Sequence, residues 1–157
     1  MNGPAPAREN QVWAIEQCIK LGYKVEVDLW TYEPIDDSGY RMYLSHDEPT
    51  GKIGDNATRI DINWLLENQH QLLIHCKNKE AIEYTMSELD GEWFVHEQDR
   101  WSGTSDSHLI CYGKQCDIVD DHRILLMMPE HHNIEPKDIP KGIYAICTDY
   151  VERYKTR

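Results

Sequence analysis

Two short stretches carry ionisable side chains at a spacing that an extended strand would turn into chemistry. In Val25-Glu26-Val27-Asp28-Leu29, successive side chains of a strand point to opposite faces, so Glu26 and Asp28 share one face and the apolar residues the other. Strands of a parallel sheet are covered on both sides, and a carboxylate there is costly unless it is paired, hydrogen-bonded or bound to a metal. Two neighbouring carboxylates repel each other, and a divalent cation between them relieves that repulsion. In Ile74-His75-Cys76-Lys77 the same alternation places His75 and Lys77 together on an otherwise apolar strand. A cation beside two carboxylates suits an anionic, phosphate-like ligand. One such strand alone reads more readily as an amphipathic strand with its polar face in water. Two in one short chain, each ending at a helix or loop, favour a site.

Further titratable residues carry weaker signals. His46, in Ser45-His46-Asp47-Glu48-Pro49, lies at a turn, where a histidine is either solvated or placed for proton transfer. His96 ends a candidate strand, and reads as a substrate contact or as a hydrogen-bonded structural residue. Asp149 follows another strand and could equally cap the last helix. His131 and His132 are adjacent in a predicted surface connection and point apart, which argues against a metal pair. Trp101 and Tyr112 are candidates for a cleft wall or for core packing.

The elements that must hold these groups follow from periodicity. Val12, Ile15, Cys18 and Ile19 predict a helix over 9–21 with Gly22 as its stop. Strands are expected at 24–30, 41–45 and 71–77, with a turn-rich stretch at 33–39, a helix over 61–68, and a helix capped by Asn78 running to about 89. The second half offers strands at 93–96, 108–112, 123–127 and 143–147 and a closing helix over 149–154. The alternation of helix and strand predicts an α/β class with a parallel sheet.

At 157 residues, with 40% hydrophobic and 28% charged side chains, the chain fits a single globular domain spanning 1–157. Its net charge of −12 argues against generic nucleic-acid or membrane-surface binding while leaving small phosphorylated ligands open. No apolar run approaches the roughly 20 residues of a membrane span, and the start lacks the apolar core of a secretory signal. Five cysteines with no C-x-x-C pair predict reduced thiols and a cytoplasmic setting.

The residues Glu9-Asn10, Ala14-Ile15-Glu16, Leu21-Gly22-Tyr23, Val25-Glu26-Val27-Asp28 and Tyr43-Leu44-Ser45-His46-Asp47, in that order, resemble the glycerophosphodiester phosphodiesterases of the phosphatidylinositol-phospholipase-C-like superfamily. A short branch of that family also shows Ile74-His75-Cys76-Lys77-Asn78 and the late Cys147-Thr148-Asp149-Tyr150. The resemblance is dense from residue 4 to about 83 and looser after 93. It implies a (β/α)8, TIM-barrel-like fold with its site at the C-terminal strand ends, and metal-dependent hydrolysis of a small phosphodiester in lipid metabolism. By that resemblance Glu26 and Asp28 match the metal-binding pair, and His46 the histidine that protonates the leaving alkoxide. Lys77 matches a lysine near the phosphate.

The chain departs from the family pattern in two places. The family opens with a strand ending in His-Arg-Gly, and Met1-Asn2-Gly3-Pro4 already lies beyond that point, so a barrel truncated by its first strand is expected. An upstream start, a vestigial protein that binds without turnover, and a strand supplied by another chain are the alternatives. His75 stands where the larger family commonly has a third carboxylate. Mg²⁺ or Ca²⁺ is the family's ion, whereas an imidazole ligand suits a softer metal, unless His75 contacts substrate instead.

Overall fold

The computed structural model describes residues 3–33, 39–52, 55–113 and 120–155, which form two compact units. The larger spans 5–95, and the smaller comprises 1–4 with 96–157. Most of the expected turn-rich stretch and Cys116 lie outside the described residues.

The larger unit begins with helix α1 (Val12–Lys20), which buries Ile15 and Cys18. Gly22 ends it as expected: at φ 83° it adopts the left-handed conformation that favours glycine, and the Tyr23 N–H donates to the Cys18 carbonyl. Strands β1 (Val25–Tyr32), β2 (Arg41–Leu44) and β3 (Thr58–Ile60) follow, then helix α2 (Ile62–Asn68), β4 (Leu72–Cys76), helix α3 (Lys79–Glu88) and β5 (Glu92–Phe94). They form one sheet in the order β3-β2-β1-β4-β5. β1 pairs antiparallel with β2, and β2 with β3, whereas β1, β4 and β5 are parallel.

Register divides this sheet cleanly. Val27, Leu29, Met42, Leu44, Leu72 and Ile74 join Ile15, Leu65, Ala81 and Tyr84 of the three helices in one core. The helices therefore cover one face. The opposite face carries Glu26 and Asp28 of β1, His75 of β4 beside Asp28, and Phe94 of β5 beside His75.

The smaller unit contains β6 (Trp101–Gly103), β7 (Leu109–Tyr112), β8 (Ile124–Met127), β9 (Ala145–Cys147) and the short helix α4 (Val151–Tyr154). Its sheet runs β6-β7-β8-β9, with β6 antiparallel to β7 and the other pairs parallel. Ile124, Leu126, Ile134, Ile139 and Tyr154 make its core. Cys18, Cys76 and Cys147 are free thiols, but Cys111 is disulfide-bonded, which corrects the expectation of reduced thiols throughout.

The expected (β/α)8 TIM-barrel-like fold, truncated or not, is overturned. Two mixed sheets of five and four strands each end in edge strands, and the described residues hold four α-helices. A closed barrel of that type needs a helix after every strand and parallel pairing throughout. Here β1 pairs antiparallel with β2 and β2 with β3, and the described residues between them form no helix. The chain is α/β in content, but its alternation is interrupted by hairpins.

Asn78 links the parallel pair to the helix that follows. Its Oδ1 accepts from Ala81 N at the start of α3 and from Thr31 N of β1, and its Nδ2 donates to the Thr31 carbonyl. Asn78→Ala should lower unfolding free energy by about 2–3 kcal/mol, through a lost cap and buried backbone groups left unpaired. Asn78→Ser, which restores the cap alone, should recover only part of that loss in urea denaturation.

Candidate functional site

The site lies on the N-terminal half of β1 and the end of β4. β1 is the central strand and presents Asp28 from its polar face, only 6% exposed. The parallel register sets His75 directly opposite Asp28 on β4. His75 Nδ1 is 3.0 Å from Asp28 Oδ1 and 3.9 Å from Glu26 Oε1. Lys77, one residue beyond β4, continues the alternation and brings Nζ to 3.5 Å from the same Oδ1. His46 follows β2, whose pairing with β1 carries the chain back over Asp28, and its Nδ1 lies 3.8 Å from Asp28 Oδ2. Its side chain is 71% exposed.

The structure thus brings together Glu26, Asp28, His75, Lys77 and His46. His96 belongs to the smaller unit, where it stacks on Tyr112 at 3.7 Å and its Nε2 bonds the Asp99 carbonyl at 2.7 Å. Asp149 also lies there, its backbone N–H donating to Glu130 Oε1. His131 and His132 sit in a 3-10 turn, and Trp101 is 40% exposed on β6.

One participant carried no signal of chemistry in the sequence. Asn10 precedes α1, is 9% exposed and adopts φ 55°. Its Nδ2 donates to Asp28 Oδ2 at 3.0 Å, and its Oδ1 accepts the Asp28 backbone N–H at 3.1 Å. Only its type, since asparagine tolerates the left-handed region, hinted at a special position.

Burial raises the Asp28 carboxyl pKa, but hydrogen bonds from His75 and Asn10 and the positive charge of Lys77 outweigh it and hold the group below its ordinary value. Asp28 is therefore ionised at neutral pH and can only accept, so His75 Nδ1 carries the proton between them. The imidazole also lies flat against Phe94, with centroids 4.6 Å apart and planes 12° from parallel. Two fixed contacts lock this ring.

Glu26, Asp28 and His75 each offer a ligand atom, and the three atoms lie within 4.8 Å of one another. This donor set fits a divalent transition ion: two carboxylates keep unused lone pairs, and an imidazole favours softer metals over Mg²⁺ or Ca²⁺. Binding through Nδ1 would require its proton to leave. Beside His46, a polar cleft of about 340 Å³ is lined by Ser45, Asp47, Glu48, Thr50 and Asn56 among others. Among the described residues, no helix is long and apolar enough to cross a membrane.

No family model, curated protein or solved structure matches the chain. The hydrolase class and the place in lipid metabolism implied by the resemblance gain nothing from these comparisons, and the barrel on which they were framed is absent.

Because the folded-state pKa of Asp28 is depressed, the stabilisation from its ionised form is fully present above the unfolded value of about 3.9 and is lost as pH falls through the folded value. Asp28→Asn should therefore cost about 1.5–3 kcal/mol in urea unfolding at pH 7, the range for hydrogen bonds to charged groups. The gap between the two proteins should narrow below pH ~4. An equal gap at pH 7 and pH 3 would contradict this account.

Proposed function

We propose that this cluster binds a divalent cation and a small phosphodiester, and that the chain hydrolyses the ester. The observation that carries the reading is the convergence on one buried carboxylate of two further metal donors, an ammonium and a solvent-exposed imidazole. Glu26, Asp28 and His75 would hold the ion. Once bound, it supplies charge neutralisation at a non-bridging phosphate oxygen and a lowered pKa for an attacking hydroxyl.

The remaining steps belong to the chain's own groups. Lys77 pairs its ammonium with a phosphate oxygen, orienting the ester over β1 and β4. Asp28 stays ionised beneath it and keeps Lys77 in place. His46, exposed at a turn, delivers a proton to the leaving alkoxide, whose alcohol sits in the adjoining polar cleft. Hydroxyl, amide and carboxylate groups there suit a small polar alcohol and not an apolar one.

A second reading, a protein that binds metal and phosphate without turnover, is favoured by one specific feature. His75 is tied to Asp28 and stacked on Phe94, which leaves His46 as the one histidine around Asp28 placed to exchange a proton with substrate. Cleavage also needs a base for the attacking hydroxyl's proton, and among the described residues around Asp28 no second histidine is placed to take it.

Purified protein should hydrolyse bis(p-nitrophenyl) phosphate or glycerophosphocholine with Mn²⁺ in preference to Mg²⁺ or Ca²⁺, and His46→Ala should lower the glycerophosphocholine rate about 10²- to 10⁴-fold while sparing the p-nitrophenyl ester, whose phenolate leaves without a proton. Mn²⁺ binding without turnover on either ester would select the second reading. Absence of both binding and turnover rejects the two together.

A further inference from the structure

Asn10 makes more contact with Asp28 than a turn residue needs. Satisfying the Asp28 backbone N–H requires only an acceptor, and Oδ1 provides it at 3.1 Å. The same amide also aims its donor at the carboxylate, with Nδ2 3.0 Å from Oδ2. The two bonds close a ring between residues 18 positions apart and fix both the backbone and the head group of Asp28. A carboxylate's terminal torsion is otherwise broad, so an unanchored Asp28 could turn its plane away from His75 and Lys77. With Oδ2 held, Oδ1 is the oxygen that meets His75 at 3.0 Å and Lys77 at 3.5 Å.

We propose that Asn10 is a positioning residue: its side-chain amide locks the Asp28 carboxylate in the orientation that presents Oδ1 to His75 and to a bound cation. This rests on the metal reading only for the cation; the orientation of Asp28 toward His75 stands apart from it. The left-handed backbone of Asn10 belongs to the same device. At φ 55° the residue lies where most side chains are strained, and asparagine combines tolerance of that conformation with a donor and an acceptor on one short arm. Groups holding a metal ligand in place typically alter affinity by 10- to 100-fold when removed.

Two variants separate the amide from the backbone. Asn10→Gly keeps the left-handed conformation without strain and deletes both bonds. Asn10→Asp keeps an acceptor for the Asp28 N–H but sets a second carboxylate against Oδ2. The first readout is ¹⁵N NMR of the His75 imidazole in the metal-free full chain, a reporter whose ring Phe94 holds still. Wild type should show the Nδ1–H tautomer, and both variants should lose it to a mixture. The second is Mn²⁺ affinity by EPR titration, expected to weaken at least 10-fold in both, with Gln11→Ala unchanged. Circular dichroism identifies the folded variants.

A changed tautomer together with weaker Mn²⁺ binding supports the proposal. A changed tautomer in variants of a protein that binds no Mn²⁺ removes the metal reading and still supports the role of Asn10. An unaltered Nδ1–H signature in folded Asn10→Gly overturns it, whatever the Mn²⁺ affinity.

Discussion

A buried carboxylate has to be matched by donors, and Asp28 imposes that demand on the larger unit. Lying at 6% exposure on the central strand, it cannot rely on water. Its partners come from three directions: Asn10 ahead of α1, His46 after β2, and His75 with Lys77 from β4 and its end. Removing one partner of a buried charge leaves the charge, and the cost of leaving it unpaired exceeds what the pair contributed. The neighbourhood of Asp28 is therefore coupled: the contacts that stabilise this part of the sheet are those that would orient a ligand.

One-sided helix cover explains why polar residues gather on the other face. α1, α2 and α3 all pack on the face of Val27, Leu29, Met42 and Ile74, where the core is dry. The reverse of the same strands is free to carry Glu26, Asp28 and His75. Glu92 extends the pattern on β5: only 2% exposed, its carboxylate meets Lys24 Nζ at 2.6 Å. A third carboxylate on this face thus has a lysine of its own, and Lys77 remains with Asp28.

The period-two alternation of residues 25–29 and 74–77 was legible in the sequence, as were the asparagine that caps α3 and most of the helix expected over 9–21, which spans Val12–Lys20. What joined them was not. The parallel register that sets Asp28 against His75 depends on strand order, which alternation along each strand does not encode. β3 and β6 carry a single large apolar residue each, Ile60 and Trp101, too few for a periodic signal, whereas the equally short β5 and β9 sit in longer apolar runs. The turn-rich stretch after Tyr32 carried the mark of a hairpin, and weighing it against the helix–strand alternation would have argued for the antiparallel pairs that exclude a barrel. In the sequence Asn10 is only part of a motif ahead of a helix; its bond to a residue 18 positions on leaves no trace in local pattern.

The two lysines of the sheet face also bear on how ligands reach it. Lys24 and Lys77 are each engaged with a carboxylate, while the chain as a whole carries −12. At long range an approaching molecule meets a negative field, which speeds the encounter of small cations and slows that of phosphate esters. Physiological salt screens this within about 8 Å, so anions gain access mainly as ionic strength rises. Cations arriving first, and anions only where positive charge has been added locally, is the order of arrival that such a field selects.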